Sequence, residues 1–353
     1  MTVSAFDHPF LSGFLGDEET AELFSAKADV DAMLAFEKAL ARAEGAEGVI
    51  PSDAADAISH RLGSFRPDVA ALREGVARDG VVVPELVRQL REAVGAAHGD
   101  YVHFGATSQD VIDTSLAMRM SKVLDIVAGR LERLAETLDG LEKRDGAVMV
   151  MGHTRMQAAI PVTAARKIAS WRDPLLRHRG RLDTHRKETA VLHLGGAAGT
   201  LEKLDGKAVA VARSVAAELG LKALDRPRHS ERDSAADLAS WLSLVSGSLG
   251  KMGQDIALMV QSEVGEVRLA NGGGSSAMPH KTNPVGAEAL VALARFNATL
   301  VSGTHHALVH ENERSGAAWT LEWLILPQMA VAAGAALRIA TDLAGSISFQ
   351  ERG

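Results

Sequence analysis

The stretch Asn271-Gly-Gly-Gly-Ser-Ser-Ala-Met-Pro-His-Lys-Thr-Asn-Pro-Val-Gly-Ala-Glu288 decides how the rest of the chain is read. Gly272, Gly273 and Gly274 let the backbone take angles closed to other residues and approach a ligand closely. Ser275 and Ser276 add hydroxyls, and Pro279 and Pro284 stiffen what the glycines loosen. Lys281 is a cation and Asn283 an amide that cannot lose a proton. An alcohol, an ammonium and an amide on one punctuated loop suit binding an anion and moving a proton beside it. A plain Gly/Pro connection between helices needs neither the serines nor the lysine.

Long helices are expected on both sides of this loop. Leu238, Leu242, Val245, Leu249, Met252, Ile256 and Met259 recur at spacings of three and four. They predict a helix from about Ser234 to Val267, roughly 50 Å long at 1.5 Å per residue. A second helix is expected after Pro284, and a third after Glu313, punctuated by Pro327 and buried through the apolar run Leu324 to Leu337. Upstream, Leu124, Val127, Leu131, Leu134, Leu138 and Leu141 mark another lengthwise seam. The glycines of Leu194 to Thr200 exclude a helix interior there and predict a small hairpin or tight loop. Near the N-terminus a helix is expected over Thr20 to Glu47, with a new start at Pro51-Ser52-Asp53. The chain divides into an N-terminal helical lobe (1–105), a central long-helix bundle (106–345) and a tail (346–353).

Composition narrows the class. The 353 residues are 46% hydrophobic but only 4% aromatic, so aliphatic side chains and alanine must fill the interior, as in close-packed helices. A net charge of -7 without a basic stripe argues against nucleic acid as partner. The absence of cysteine excludes disulfides, thiolate metal sites and a cysteine nucleophile. No basic leader precedes an apolar run, and no uninterrupted apolar stretch of about 18 residues is found, so neither a signal peptide nor a membrane span is expected. A cytoplasmic protein is the expectation.

The segment Gly274 to Pro284, read as G-S-S-x-M-P-x-K-x-N-P with Glu288 four residues on, resembles the signature of the fumarase/aspartase superfamily. The resemblance implies an all-α long-helix bundle, and the chain's length then implies that the superfamily's small C-terminal domain is missing. It also implies cofactor-independent chemistry on a small polycarboxylate, with no metal, in a homotetramer whose sites are shared between subunits. Ser275, Lys281 and Asn283 become the catalytic candidates, with Met278 beside them as a substrate contact.

Two further segments carry site candidates. In Tyr101 to Val111, Thr107 and Ser108 are good helix caps with Asp110 in the first turn, and the run resembles the superfamily's substrate-contacting T-S-x-D. His103 and Gln109 join Thr107 and Ser108 as binding candidates. Gly152-His153-Thr154-Arg155-Met156-Gln157 resembles G-R-T-H-x-Q with arginine and histidine exchanged. A guanidinium does not titrate near neutral pH but grips a carboxylate in bidentate fashion. Arg155 and Gln157 are therefore expected to bind substrate, and His153 is the candidate substitute for the displaced acid–base histidine. Arg314, in His310 to Trp323, is a second candidate anion clamp.

Residues 106–114, 195–201 and 313–323 resemble the lactone-forming cycloisomerases of the superfamily more than its fumarate-releasing lyases. Adenylosuccinate lyase is the alternative; it is expected to keep the histidine that Arg155 replaces.

Overall fold

The computed structural model describes residues 3–274, 277–278 and 281–351. Two short helices, α1 (Ser12–Leu15) and α2 (Glu18–Glu22), lead into α3 (Ala26–Ala46), α4 (Ser52–Ser64), α5 (Val69–Asp79) and α6 (Val83–Val94). Then come α7 (Ser108–Asp145), a hairpin of β1 (Met149–Thr154) and β2 (Gln157–Thr163), α8 (Ala164–Thr189), α9 (Ala208–Leu219) and α10 (Asp233–Met259). A short strand β3 (Val267–Leu269) precedes the glycine loop; α11 (Val285–Ala307), α12 (Gly316–Ser346) and β4 (Ile347–Phe349) follow it. β3 pairs antiparallel with β4, bringing the two ends of the α11–α12 excursion together.

The fold is the expected all-α long-helix bundle. α7, α8, α10, α11 and α12 enclose the main core, built from Leu124, Leu131, Leu138, Trp171, Trp241, Leu249 and an alanine-rich face of α12 (Ala330, Ala332, Ala333, Ala336, Ala340). Small side chains let these helices approach closely. A Cβ on Gly253 of α10 would lie 2.5 Å from the Ala287 carbonyl on α11, so only glycine fits that crossing. The second core joins Phe36, Leu40, Ile58, Leu86 and Leu90 to Val111 of α7 and to Leu192, Leu194, Val211 and Val215.

α7 and α8 run antiparallel in a register written in charge. Asp125 meets Arg186 at 2.6 Å, Glu132 meets Arg179 at 2.9 Å and Asp139 meets Arg172 at 2.7 Å. Each rung lies seven residues beyond the last on α7 and seven before it on α8, two turns apiece. These pairs are largely solvated, so they set register more than they add stability. The N-terminal segment is tied across the bundle by buried Arg130 of α7, which pairs with Asp17 and Glu19 and donates to the Gly334 carbonyl.

Two expectations need correction. The helix expected over Thr20–Glu47 is broken, because Ser25 caps α3 by accepting from the Ala28 N–H and so starts a new helix. The helix expected to reach Val267 ends at Met259, since residues 260–266 turn to place β3 against β4. α11 and α12 are long and apolar enough to cross a membrane by length and mean composition, although polar residues interrupt both runs, and Pro327 the second, as expected. α12 is the core helix of the bundle, with 72% of its most apolar window buried, against only 28% in α11.

Candidate active site

The predicted site residues fall into two groups at opposite ends of α7. At its N-terminal end Thr107 is the cap, and Asp110 reaches back to accept the Thr107 N–H at 2.9 Å. The Asp110 carboxylate also accepts the N–H groups of Gly195 and Gly196 at 2.8 and 3.0 Å and meets Nε2 of His229 at 2.8 Å. One buried carboxylate thus fixes the helix start, the Gly195–Gly196 turn and the chain before α10. Gln109 is fully buried: its amide nitrogen donates to Asp113 and to the His229 carbonyl, and its oxygen accepts from Nε of Arg314 at 2.8 Å. Expected to touch substrate, Gln109 instead holds Arg314. The same guanidinium donates to the Ala197 carbonyl at 3.2 Å.

Beneath lies a buried ion network. Arg232 bonds Asp113 at 2.8 Å and grips both oxygens of Glu322, while Asp113 also accepts from the Trp319 indole. Burial alone would raise the Asp113 carboxyl, but Arg232 and the donors around it hold it below the usual carboxylate range. Neighbouring His193 is pushed down to about 4 by burial, and so is neutral at pH 7. In front, His103, Thr107 and Ser108 line a cavity of about 500 Å³ with Arg88 and Arg91 of α6.

The second group is near the other end. The β1–β2 hairpin turns through Arg155 and Met156, with φ of 49° and 66°, between paired Thr154 and Gln157. Such two-residue turns normally take Asn-Gly, so this tip holds its arginine at a conformational cost. His153 and Arg155 line a cavity of about 790 Å³ with Arg166, Lys167 and Lys251. Exposed Gln157 starts the returning strand. Gln261 borders this cavity and also a neighbouring one of about 430 Å³, lined by Met278, Lys281, Asn283 and Pro284.

The glycine loop is cinched at its base. Gly273 and Asn283 exchange backbone hydrogen bonds at 2.9 and 2.8 Å, and the Lys281 N–H donates to the Met278 carbonyl at 3.0 Å. A Cβ on Gly272 would meet the Thr282 side chain at 2.1 Å, which is why glycine is needed at this closure. Lys281 and Asn283 therefore leave a fixed turn beside one cavity. Ser275, the third catalytic candidate, lies outside the described residues. Among the described residues no group of three or more His, Asp or Glu side chains is placed to hold a metal ion.

One chain does not bring the two groups together. Ser170, which lines the hairpin cavity, lies two residues from Arg172, the partner of Asp139. Asp139 is 31 residues beyond Ser108, about 46 Å along the helix axis. Arg88, Arg91, Arg166 and Lys167 were not among the sequence candidates, nor were the network residues Asp113, His229, Arg232 and Glu322. Asp113 and Glu322 lie within the segments 106–114 and 313–323 singled out above, while His229 and Arg232 belong to the charged run 226–234.

A long-helix bundle with cationic cavities near both ends of α7 and a cinched Gly/Lys/Asn loop fits a lyase of the fumarase/aspartase superfamily. The family model described as "Lyase" matches residues 17–297, and the chain belongs to that family. It is 41% identical over 327 residues to a 3-carboxy-cis,cis-muconate cycloisomerase of Pseudomonas aeruginosa, covering 91% of this chain and 71% of that protein. A protein of the same description from Pseudomonas putida is 40% identical, covering 92% and 79%. The crystal structure of 3-carboxy-cis,cis-muconate lactonizing enzyme from P. putida superimposes with a TM-score of 0.91 at 38% identity, covering 97% of this chain and 77% of that one.

Proposed function

We propose that the protein is a cycloisomerase that closes 3-carboxy-cis,cis-muconate to 4-carboxymuconolactone, a step in protocatechuate breakdown through β-ketoadipate. One substrate carboxylate adds to a carbon of the conjugated diene, and charge moves into a second carboxylate as an enediolate. A proton then completes the lactone. Holding nucleophile and acceptor in one molecule removes the translational cost, so the protein's task is to fold the substrate and shelter the new charge. Lys281 and Asn283 take the enediolate, and Arg155 and Arg314 clamp carboxylates. Ser275 is the proton donor in lactonisation and the base in reverse, with its alkoxide stabilised by Lys281 and Arg155. The observation that carries this reading is the closed Gly273–Asn283 turn, which fixes Lys281 and Asn283 at one cavity in a chain so similar to known cycloisomerases.

The functional unit is a homotetramer with shared sites. Support comes from the separation of the two half-sites along α7 and from α11, an apolar helix that one chain leaves mostly uncovered. Incubation with 3-carboxy-cis,cis-muconate should remove the diene absorbance and yield one lactone of unchanged mass. Fumarate release from adenylosuccinate, with carboxymuconate untouched, would replace this reading by the lyase alternative.

A further inference from the structure

The cavity at the N-terminal end of α7 holds a binding candidate, His103, to which the reaction outlined above gives no specific carboxylate. His103 lines it beside Arg91, Thr107 and Ser108. Its Nδ1 lies 2.6 Å from Oε1 of Glu37 on α3, whose side chain is only 1% exposed. The backbone at His103 has φ of 60°, a conformation that a non-glycine residue keeps only where its surroundings enforce it. On α6, Arg88 is engaged by Glu85 and Glu92. Arg91 touches the Val102 carbonyl at 3.3 Å and enters no ion pair among the described residues.

Three charged groups face the His103 ring: Glu37 from α3, Asp110 from α7 and Arg91 from α6. Burial pushes the imidazole down, but Glu37, with help from Asp110, outweighs both burial and Arg91, and the net direction is up. Two turns along α3, Glu44 is buried with neither carboxyl oxygen hydrogen-bonded. Burial, and then the charge of Glu37, push it up to about 9, so it is neutral at pH 7.

The substrate proposed above is a triacid. One carboxylate becomes the nucleophile and a second takes the developing charge, which leaves a third to be held away from the chemistry. We propose that Glu37 is a positioning residue that holds the His103 ring in this cavity through its contact with Nδ1, where His103 and Arg91 together form the subsite for that third carboxylate. This assignment rests on the cycloisomerase reading. It adds a recognition element to those of the loop, the hairpin and Arg314.

The test uses the full-length protein and the variants Glu37→Gln, Glu37→Asp, His103→Gln and Arg91→Gln. KM and kcat for 3-carboxy-cis,cis-muconate are measured from pH 6 to 9, with calorimetric binding of propane-1,2,3-tricarboxylate on the same samples. For the wild type both KM and the probe's Kd should rise only above the ordinary histidine range. Glu37→Gln should move that rise to lower pH, so that both weaken several-fold relative to the wild type on the alkaline side and little at pH 6, with kcat nearly unchanged. Glu37→Asp should follow the wild type, and His103→Gln should bind weakly at every pH. A Glu37→Gln profile that overlays the wild type, or a loss of kcat at constant KM, overturns the proposal. If Glu37→Gln does not fold, unchanged KM and probe affinity in His103→Gln and Arg91→Gln overturn it equally. Should the wild type not turn over carboxymuconate, the reaction assignment fails while the probe's pH profile still decides the subsite.

Discussion

Arg314 donates its Nε–H to the side-chain oxygen of Gln109 at 2.8 Å, joining residues 205 positions apart. Gln109 has no exposed surface, so its amide serves as a fixed bracket for a guanidinium at the rim. Replacing it by leucine removes the bracket and strands part of a charged donor, a loss of about 1.5–3 kcal/mol. Gln109→Leu is therefore expected to lower kcat/KM about 10- to 100-fold and also to lower the melting temperature, because Asp113 and the His229 carbonyl each lose a donor. Steady-state kinetics and thermal melts on the same preparation check this.

The Asp113–Arg232–Glu322 network should behave as a buried unit. Removing one partner leaves an uncompensated charge and costs about 3–5 kcal/mol. Glu322→Gln and Asp113→Asn are expected to lower stability by that order, and the double variant by less than the sum. The Asp113 carboxyl is depressed in the folded state, so its stabilisation is full above the ordinary carboxylate range and is lost as pH falls through its folded value. The Asp113→Asn variant should accordingly lose the acid-side part of its pH dependence in denaturant titrations.

Glu44 predicts the opposite slope. Its carboxyl is raised to about 9 in the folded state, mainly by burial, while an unfolded glutamate titrates near 4.5. The folded protein therefore holds an extra proton between those values, and stability falls as pH rises through that window. Glu44→Gln should flatten this decline and melt higher than the wild type at pH 8. Melting temperatures at pH 5, 6.5 and 8 decide the matter.

The hairpin tip separates stability from function. Met156 is exposed and sits at φ 66°, a left-handed conformation that costs a non-glycine residue roughly 1–2 kcal/mol. Met156→Gly should stabilise the hairpin by about 1 kcal/mol with activity largely kept. Arg155→Gln should leave stability alone and reduce kcat/KM by more than about 100-fold, as expected for a lost bidentate carboxylate clamp. Denaturation and kinetics on both variants test the pair.

Much of this was legible because the signals are local. The Thr107–Asp110 cap, the start of α11 after Pro284 and the leucine seams of α7 and α10 each rest on residues within a few turns of one another. Gly272 is required by contact with Thr282, ten residues away, so the loop could also be read in sequence. Pairings across the fold leave no such trace. Glu37 and His103 are 66 residues apart, and Arg232 and Glu322 are 90 apart. The β1–β2 hairpin was hidden because its tip is Arg-Met, where a turn signal would be Asn-Gly. Ser25 was a legible cap that the continuous apolar pattern around it obscured.

The central claim is that residues from opposite ends of α7, contributed by different copies, complete each site. Mixing two inactive variants tests it most directly: Lys281→Ala at the loop and Arg314→Ala at the far end, unfolded together and refolded at equal amounts. If sites are shared, random assembly leaves about a quarter of them with both wild-type contributions, and the mixture should regain activity on the order of a quarter of the wild type. Mixed oligomers verified by native mass spectrometry but no more active than either parent would contradict the account.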